Sequence, residues 1–405
     1  MTSAPRLFTP AFGALFAAAL VFFTAGSTVL PVASRFAAGP LGADATGVGI
    51  SIGAFAIAAL ALRPVVGWSS DRFGRRPLLI GGGLMTLGAL LFHLVATNLP
   101  LFIVARSMLG IAEAFFFVAA VAAVSDLAPP ERRGEAINYA SLSVYLGLAF
   151  GPFLGETILG WGGFDTVWLV AAAMAAVATA LTLLVPETAP GALRRRVTGE
   201  RPPRTPLVHP AGLLPGFLIM TGTWGMAGFL AFLPLYAAEL GVGGAGPAFG
   251  LYALIVVTLR LIFAKLPDQI GAARLSGFAL VGSALGLGVL GVVGNPVGLY
   301  VGTAIFATGI AFLFPALVAL AVARVDETER GTVVGTTTAF VDLSFGLGPA
   351  ILGLAVGTIG FGGTFVVSAV IALGGSVLLG LVRGALAAPP RPSTELGERA
   401  RPSGS

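Results

Sequence analysis

Charged side chains stand inside two long apolar stretches of this chain. Arg106 and Glu113 are seven residues apart in one stretch, and Asp342 lies about midway along another. Residues seven apart in a helix lie within about 20° on one face and about 10 Å apart along the axis. A carboxyl group among apolar side chains can bind and release a proton, and a nearby arginine can tune it or hold an anion. These residue types therefore offer proton exchange and ion binding.

The stretches that hold these residues are long enough to cross a lipid bilayer. The chain has 405 residues, of which 56% are hydrophobic and 10% charged, and its mean hydropathy is +0.96. Soluble domains carry about 25% charged residues, whereas a spanning helix needs about 20 mostly apolar ones. We predict an all-α membrane protein with twelve such segments. They are 11–34, 46–68, 77–96, 99–124, 136–159, 164–185, 212–236, 247–264, 275–293, 297–322, 332–357 and 362–383, called spans 1 to 12 below.

Lysine and arginine indicate how the spans are oriented. With the N-terminus in the cytoplasm, 19 of the 23 basic residues fall in cytoplasmic loops, tails or span ends. Arg35 falls outside, and Arg63, Arg106 and Arg260 lie within spans. Because cytoplasmic loops carry the excess of basic residues, we expect both termini in the cytoplasm and a multi-pass protein of the cytoplasmic (inner) membrane. Topology then explains the basic charge, and nucleic acid is not an expected partner.

The chain repeats itself with an offset of 197 residues. Parallel repeats in a membrane protein indicate two bundles that move against each other around a central site. We therefore expect two pseudo-symmetric six-helix bundles. The pairs with this spacing include Arg63/Arg260, Asp71/Asp268, Gly74/Gly271, Asn98/Asn295, Gly151/Gly348 and Pro152/Pro349.

A segment rich in proline and arginine separates the two halves. We expect one bundle over 1–188, a cytoplasmic linker over 189–210, a second bundle over 211–387 and a disordered cytoplasmic tail over 388–405. No segment is large enough for a soluble catalytic domain, so an enzyme is not expected. The chain has no cysteine and two histidines, so neither a metal nor another cofactor is expected.

The loop between spans 2 and 3 has an ordered run of glycines and charges. Its residues are Gly67, Asp71, Arg72, Gly74, Arg75 and Arg76. Gly74 permits a tight turn, and the basic character of a cytoplasmic loop explains the arginines but not their order. The run resembles motif A of the major facilitator superfamily. The two sets of six spans, the basic central loop and the weaker second copy resemble that family over essentially the whole chain.

The resemblance implies a fold and a role for this loop. It implies the major facilitator fold, with a loop that steadies the outward-facing state by pairing charges across the halves. Asp71 is implied to face the start of span 11, where a helix N-terminus favours an anion. Arg75 is implied to meet Asp126 at the end of span 4.

Span 4 carries a second family-like pattern. Arg106, Gly110 and Ala114 resemble motif B, and the resemblance implies that span 4 lines the cavity. A charge such as Glu113 near mid-membrane costs about 2.5–3.5 kcal/mol and must face a cavity or a partner. We favour a functional role for Glu113 over a structural ion pair. For Asp342, a functional role and hydrogen bonding to Thr336–Thr338 or a neighbouring helix both stay open.

Span 5 carries a third pattern, which resembles motif C of drug–proton antiporters. Its residues are Gly147, Gly151, Pro152 and Gly155. Glycines on one face allow close packing in lipid. The family usually continues with a further glycine where this chain has Glu156. Span 11 has a similar Gly348-Pro349, so part of the pattern reflects the fold.

These features predict a monomeric secondary active transporter that exports small organic or amphiphilic compounds in exchange for protons, by alternating access. Its partners are then a small-molecule substrate, protons and the lipid bilayer. Glu113 is the first candidate for the proton carrier and Asp342 the second, while Arg106 tunes Glu113 or holds an anionic group. Two deep acids against one deep arginine predict a mildly acidic cavity, suited to neutral or cationic amphiphiles. The alternative is a proton symporter that takes up a sugar or organic acid. A transport-like sensor is disfavoured, because we find no soluble signalling domain.

Overall fold

The described part of the chain is built entirely of helices. The computed structural model describes residues 7–129, 132–189, 208–263, 266–323, 325 and 329–387. The predicted tail and most of the predicted linker lie outside these residues. The helices are Pro10–Ala38, Ala45–Phe73, Arg75–His93, Leu99–Leu127, Arg133–Thr182, Pro210–Glu239, Gly246–Ile262, Leu266–Ile270, Ala272–Val292, Pro296–Val322 and Arg330–Ala387. The predicted all-α fold is confirmed.

Among the described residues, nine helices are long and apolar enough to cross a membrane. Arg133–Thr182 and Arg330–Ala387 each hold two predicted spans, separated by one non-helical glycine. Gly163 has φ 74° and ψ −177°, and Gly360 has φ 69° and ψ 174°, a region open almost only to glycine. Gly246–Ile262, with 17 residues, is short for a full span. Twelve helical segments therefore follow one another in the order of the twelve predicted spans.

The 197-residue repeat recurs in the backbone. Gly163 and Gly360 are one repeat-related pair, and Gly74 and Gly271 are another, with φ 101° and 85°. The Asn98 side chain caps the start of span 4 by accepting a hydrogen bond from Leu101 N at 3.0 Å. The Asn295 side chain caps span 10 in the same way, accepting from Gly298 N at 2.9 Å. Such side-chain caps satisfy backbone donors that the first turn leaves free. The repeated residues therefore begin, break and end helices at equivalent places.

Each half has an apolar core of its own. In the second half, a cluster of buried aromatic rings includes Phe229, Phe249 and Phe306. In the first half, Phe22 stacks on Phe116, with ring centroids 3.8 Å apart. A further cluster is centred on Trp168 of span 6 and also contains residues of span 7 and span 11. The two halves thus share apolar packing as well as having separate cores.

The halves close on each other at one end of the molecule. We call the end that carries Arg72–Arg76 the basic face and the opposite end, near Arg35, the far face. Towards the far face, the backbones of spans 2 and 11 touch, because Gly49 faces Pro349 O and Gly53 faces Gly346 O with no room for a Cβ. Among the described glycines, none makes such a contact between halves near the basic face. The structure is therefore closed at the far face.

Candidate functional site

A cavity of about 320 Å³ lies between the two halves. This volume falls within the range of small-molecule sites. Its walls are mostly apolar and aromatic, with contributions from Phe23, Phe55, Phe117, Tyr252, Phe314 and Phe345. Its charged lining residues are Arg63, Arg106, Glu113, Arg260 and Asp342. The cavity thus brings together all three of the site residues predicted for it, Arg106, Glu113 and Asp342, with two arginines that were not predicted there.

Asp342 of span 11 forms an ion pair with Arg63 of span 2. Arg63 Nη2 donates to Oδ1 at 2.9 Å, and Arg63 Nη1 lies 2.8 Å from Oδ2. The first contact is a hydrogen bond, whereas Oδ2 accepts no hydrogen bond, so the second contact contributes electrostatic attraction only. The hydroxyls of Thr336 and Thr338 donate to backbone oxygens of their own helix instead. Of the two structural interpretations open for Asp342, the partner on a neighbouring helix is the one observed, and that helix belongs to the other half.

Arg106 and Glu113 do not pair with each other. The Arg106 side chain is buried, its Nε lies 3.4 Å from Ser51 O, and its guanidinium lies 5.2 Å from the Phe55 ring centre. Gly110, one turn further along, fits against the Phe55 backbone, which keeps spans 2 and 4 close. Among the described residues, Arg106 has no carboxylate partner. The structural ion pair considered for these two residues is absent.

Glu113 stands in the cavity wall without a direct polar partner. Within the described ranges it has no hydrogen bond and no ion pair, and it is half-buried. Arg63 and Asp342 act on it electrostatically. An acid inside a membrane protein is costly unless it serves a cavity or an ion path. Glu113 is therefore the acid of this site that is not held by an ion pair.

Arg260 of span 8 crosses to the first half in a different way. Its guanidinium lies 3.6 Å from the centre of the Tyr145 ring of span 5, and its Nε donates to Ala311 O at 3.0 Å. Arg260 is the repeat equivalent of Arg63, and Tyr145 is the repeat equivalent of Asp342. The repeat spacing of Arg63 and Arg260 is visible in the sequence, but the position of both residues in the cavity is not.

The charge of the cavity differs from the prediction. Three arginines line it against two acids, whereas the sequence analysis counted a single deep arginine. Arg63 and Arg260 escaped that count because they lie towards the ends of their spans in sequence, yet both turn towards the space between the halves. The predicted mildly acidic cavity is wrong, and the preference for cationic amphiphiles that followed from it loses its basis.

The loop between spans 2 and 3 makes its described contacts within the first half. Arg75 Nε lies 3.3 Å from Asp126 Oδ2, which is the contact that the resemblance implied. Arg76 donates to Leu183 O at 2.9 Å, and Arg72 stacks on Trp68. Gly67 has open space beside it. The Asp71 side chain lies outside the described residues, so its contact with span 11 stays a prediction.

Glu187, which follows span 6, caps the start of span 3. Its carboxylate accepts from Arg75 N at 2.9 Å and from Arg76 N at 3.2 Å, where the first turn has free donors. Gly74, with φ 101°, leaves the carboxylate room, since a Cβ there would collide with it. This role could not be predicted from the sequence, because the residues are more than 100 positions apart.

Glu187→Ala is expected to destabilise the protein by about 1–2 kcal/mol, the usual cost of losing a helix cap. The midpoint of thermal unfolding in detergent should fall. Glu135→Ala is the matched control, because its described ion pair is with Arg132 at an exposed position and such pairs contribute little. Equal midpoints for the two variants would contradict the capping role.

The glycines of span 5 pack this helix against span 1. Gly147 faces the backbone of Phe23 and Thr24, Gly151 faces Ser27, and Gly155 faces Thr28 O. Ser27 Oγ donates to Gly147 O at 2.7 Å. Pro152 lies inside the same helix. These contacts place the span-5 pattern at a close helix–helix seam of the first half.

Glu156, next to this seam, joins the two halves at the far face. Its Oε2 accepts from Arg35 Nη1 at 2.8 Å and from Ala245 N, in the second half, at 3.3 Å. The side chain is almost fully buried. We call this contact the Glu156 latch.

Paired helix bundles around a central cavity define an integral membrane transporter. The model of the Major Facilitator Superfamily matches residues 15–274 and 242–404, and the chain belongs to this family. The chain is 29% identical over 345 residues to an uncharacterized MFS-type transporter of Salmonella typhimurium, covering 83% of this chain and 87% of that protein. It is 26% identical to the uncharacterized MFS-type transporter YhhS of Escherichia coli, covering 78% of each.

Solved structures show the same fold at low identity. A bacterial homolog of the human lysosomal transporter Spinster, in an inward-facing and occupied conformation, superposes with TM-score 0.73 at 17% identity, covering 93% of this chain and 98% of that one. A POT family transporter in complex with a thioalcohol-conjugated peptide superposes with TM-score 0.77 at 14% identity, covering 93% and 96%. This family consists of transporters, and no catalytic activity is indicated.

Proposed function

We propose that this protein is a proton-coupled secondary transporter that exports small organic amphiphiles by alternating access. The observation that carries the proposal is Glu113, an acid in the wall of an apolar cavity with no direct polar partner among the described residues. A carboxyl group that no ion pair holds can change its protonation without breaking the scaffold. Glu113 is the proton carrier in this proposal, and Asp342 acts through its ion pair with Arg63.

The Arg63–Asp342 pair supports alternating access, because it joins span 2 of one half to span 11 of the other. A change of protonation at Glu113 changes the electrostatic environment of this pair. In the proposal, that change alters the free energy of the state closed at the far face relative to the state closed at the basic face. The loop with Asp71, Arg72, Arg75 and Arg76 steadies the state that is closed at the basic face.

The proposed orientation puts the basic face in the cytoplasm. The excess of arginine in the loops at that face supports this orientation, because such loops stay in the cytoplasm. Both termini are then cytoplasmic, in the inner membrane of a bacterium, and the protein acts as a monomer. The structure then corresponds to a state closed to the outside.

Export is the proposed direction because the glycines of span 5 resemble motif C of drug–proton antiporters. The second candidate is a proton symporter that takes up an organic acid. The three arginines of the cavity favour it, because adding a proton to Glu113 raises the positive charge around a bound anion. Proton and anion then assist each other, as symport requires.

Membrane vesicles of both orientations distinguish these candidates. In everted vesicles with an acidic lumen, the proposed exporter accumulates substrate and releases protons. In right-side-out vesicles with an acidic exterior, the symporter accumulates substrate instead. The compounds are a panel of anionic, neutral and cationic aromatic amphiphiles. Failure of every compound to move in both preparations, while the protein is present and folded, would contradict the proposal.

A further inference from the structure

The two repeat-related arginines of the cavity have different partners. Arg63 faces Asp342 in a two-point ion pair. Arg260, 197 residues later, faces Tyr145, which stands where the repeat would place the equivalent of Asp342. Each arginine contacts a residue of the opposite half. That residue is a carboxylate for Arg63 and a tyrosine for Arg260. The Arg260 charge is therefore not neutralised by a described acid.

Arg260 is available to a ligand, unlike the other cationic groups of the cavity. The Arg63 charge is cancelled by Asp342, and Arg106 is only 1% exposed. Arg260 is half-buried; its Nε donates to the Ala311 carbonyl, and its guanidinium lies over the Tyr145 ring. Its guanidinium has five donors in a planar fork that suits a carboxylate. An arginine in a membrane protein is costly unless it meets a cavity or an anion.

Apolar groups surround Arg260. The Phe314 ring lies edge-on to Tyr145, with centroids 5.8 Å apart. Tyr252, Met226 and Ile310 line the same cavity. A ligand that meets Arg260 with a polar head must therefore place an apolar body against these side chains. Such a site disfavours small hydrophilic anions, because they would lose water without gaining apolar contact.

We infer that the cavity binds an amphiphilic organic monocarboxylate, with Arg260 holding the carboxylate and Tyr145 positioning the guanidinium. This inference rests on the proposed role of the cavity as the substrate site, but not on the direction of transport or on proton coupling. A monoanion also suits export, since an inside-negative potential drives it outward by about 2.3 kcal/mol per charge per 100 mV.

The test is equilibrium binding to the purified full chain in lipid nanodiscs, without any ion gradient. The probes are three carboxylates, benzoate, 2-naphthoate and decanoate, each compared with its neutral amide and with the amine of the same carbon skeleton. Wild-type protein is expected to bind the best carboxylate at least tenfold more tightly than its amide or amine. Arg260→Gln should remove this preference by weakening carboxylate binding to the level of the amide, and Arg260→Lys should restore part of it.

Arg132→Gln is the control, because Arg132 pairs with Glu135 at the surface and is not one of the residues that line the cavity. It should keep the wild-type preference. Monodisperse elution and retained amide binding show that Arg260→Gln is folded. Equal binding of carboxylate, amide and amine, or an undiminished preference in Arg260→Gln, overturns the inference. Intact carboxylate preference without proton-driven transport overturns the proposed function instead.

Discussion

Glu113→Gln is expected to abolish uphill transport while leaving exchange of substrate down its own gradient intact. Glutamine keeps the shape of glutamate but does not bind and release a proton. Because Glu113 has no ion pair or hydrogen bond among the described residues, the change should break no described contact. Accumulation against a gradient in pH-energised vesicles should fall to the level of vesicles without the protein, and exchange of labelled for unlabelled substrate should persist.

Asp342→Asn is the comparison for this variant. It removes one charge of an ion pair between the halves and leaves Arg63 without its carboxylate. Breaking one side of a buried pair is costly, because the other charge stays behind. We expect Asp342→Asn to change substrate affinity more than coupling. If Glu113→Gln still accumulates substrate with a normal pH dependence, Glu113 is structural and the proton carrier lies elsewhere.

The Glu156 latch gives the second large effect. Glu156→Gln is expected to shift the protein towards states open at the far face, because a neutral amide oxygen is a weaker acceptor than a carboxylate for Ala245 N, the contact that crosses between the halves. The Arg35–Glu156 ion pair lies within the first half, and Arg35 is about a third exposed, so its loss acts on that half rather than on the closure. We expect a change of about 1 kcal/mol, or about fivefold in the ratio of open to closed states.

Distances between the halves measure this shift directly. The chain has no cysteine, so Gly160→Cys and Gly243→Cys give unique labelling sites. Both positions are exposed at the far face, one in each half, with open space beside them. Pulsed spin-label spectroscopy should show a larger fraction of long distances in Glu156→Gln. Glu135→Gln, at the basic face, is the control and should leave the distribution unchanged. An identical distribution in all three proteins rules out the latch as a determinant of closure.

The sequence patterns predicted those structural features that are determined by residues close together in the sequence. Hydropathy located the helices, and the repeat located equivalent caps such as Asn98 and Asn295. The resemblance also implied the contact between Arg75 and Asp126, which the structure contains.

These patterns could not predict the contacts between the halves. The spacing of Arg106 and Glu113 correctly puts them on similar sides of one helix, but it does not show that Arg106 turns to the Ser51 carbonyl of span 2. The pairing of Arg63 with Asp342 depends on how the two bundles pack against each other, which the spacing of residues along the chain does not specify. A repeat offset identifies equivalent positions in the two halves, but it does not show which residues of one half contact the other half.

Two glycines set a limit on how the topology of this protein can be mapped. Span 5 begins beside the end of span 4, and Thr188 after span 6 returns to Asp126 at that same end, so the chain reverses at Gly163. Gly360 is its counterpart in the second half. A reporter enzyme or epitope inserted at either glycine would interrupt a turn made by a single residue, so failure to detect it on one side of the membrane would not distinguish misfolding from location. The connections at 39–44 and 240–244 each contain several residues, so insertions there can be interpreted.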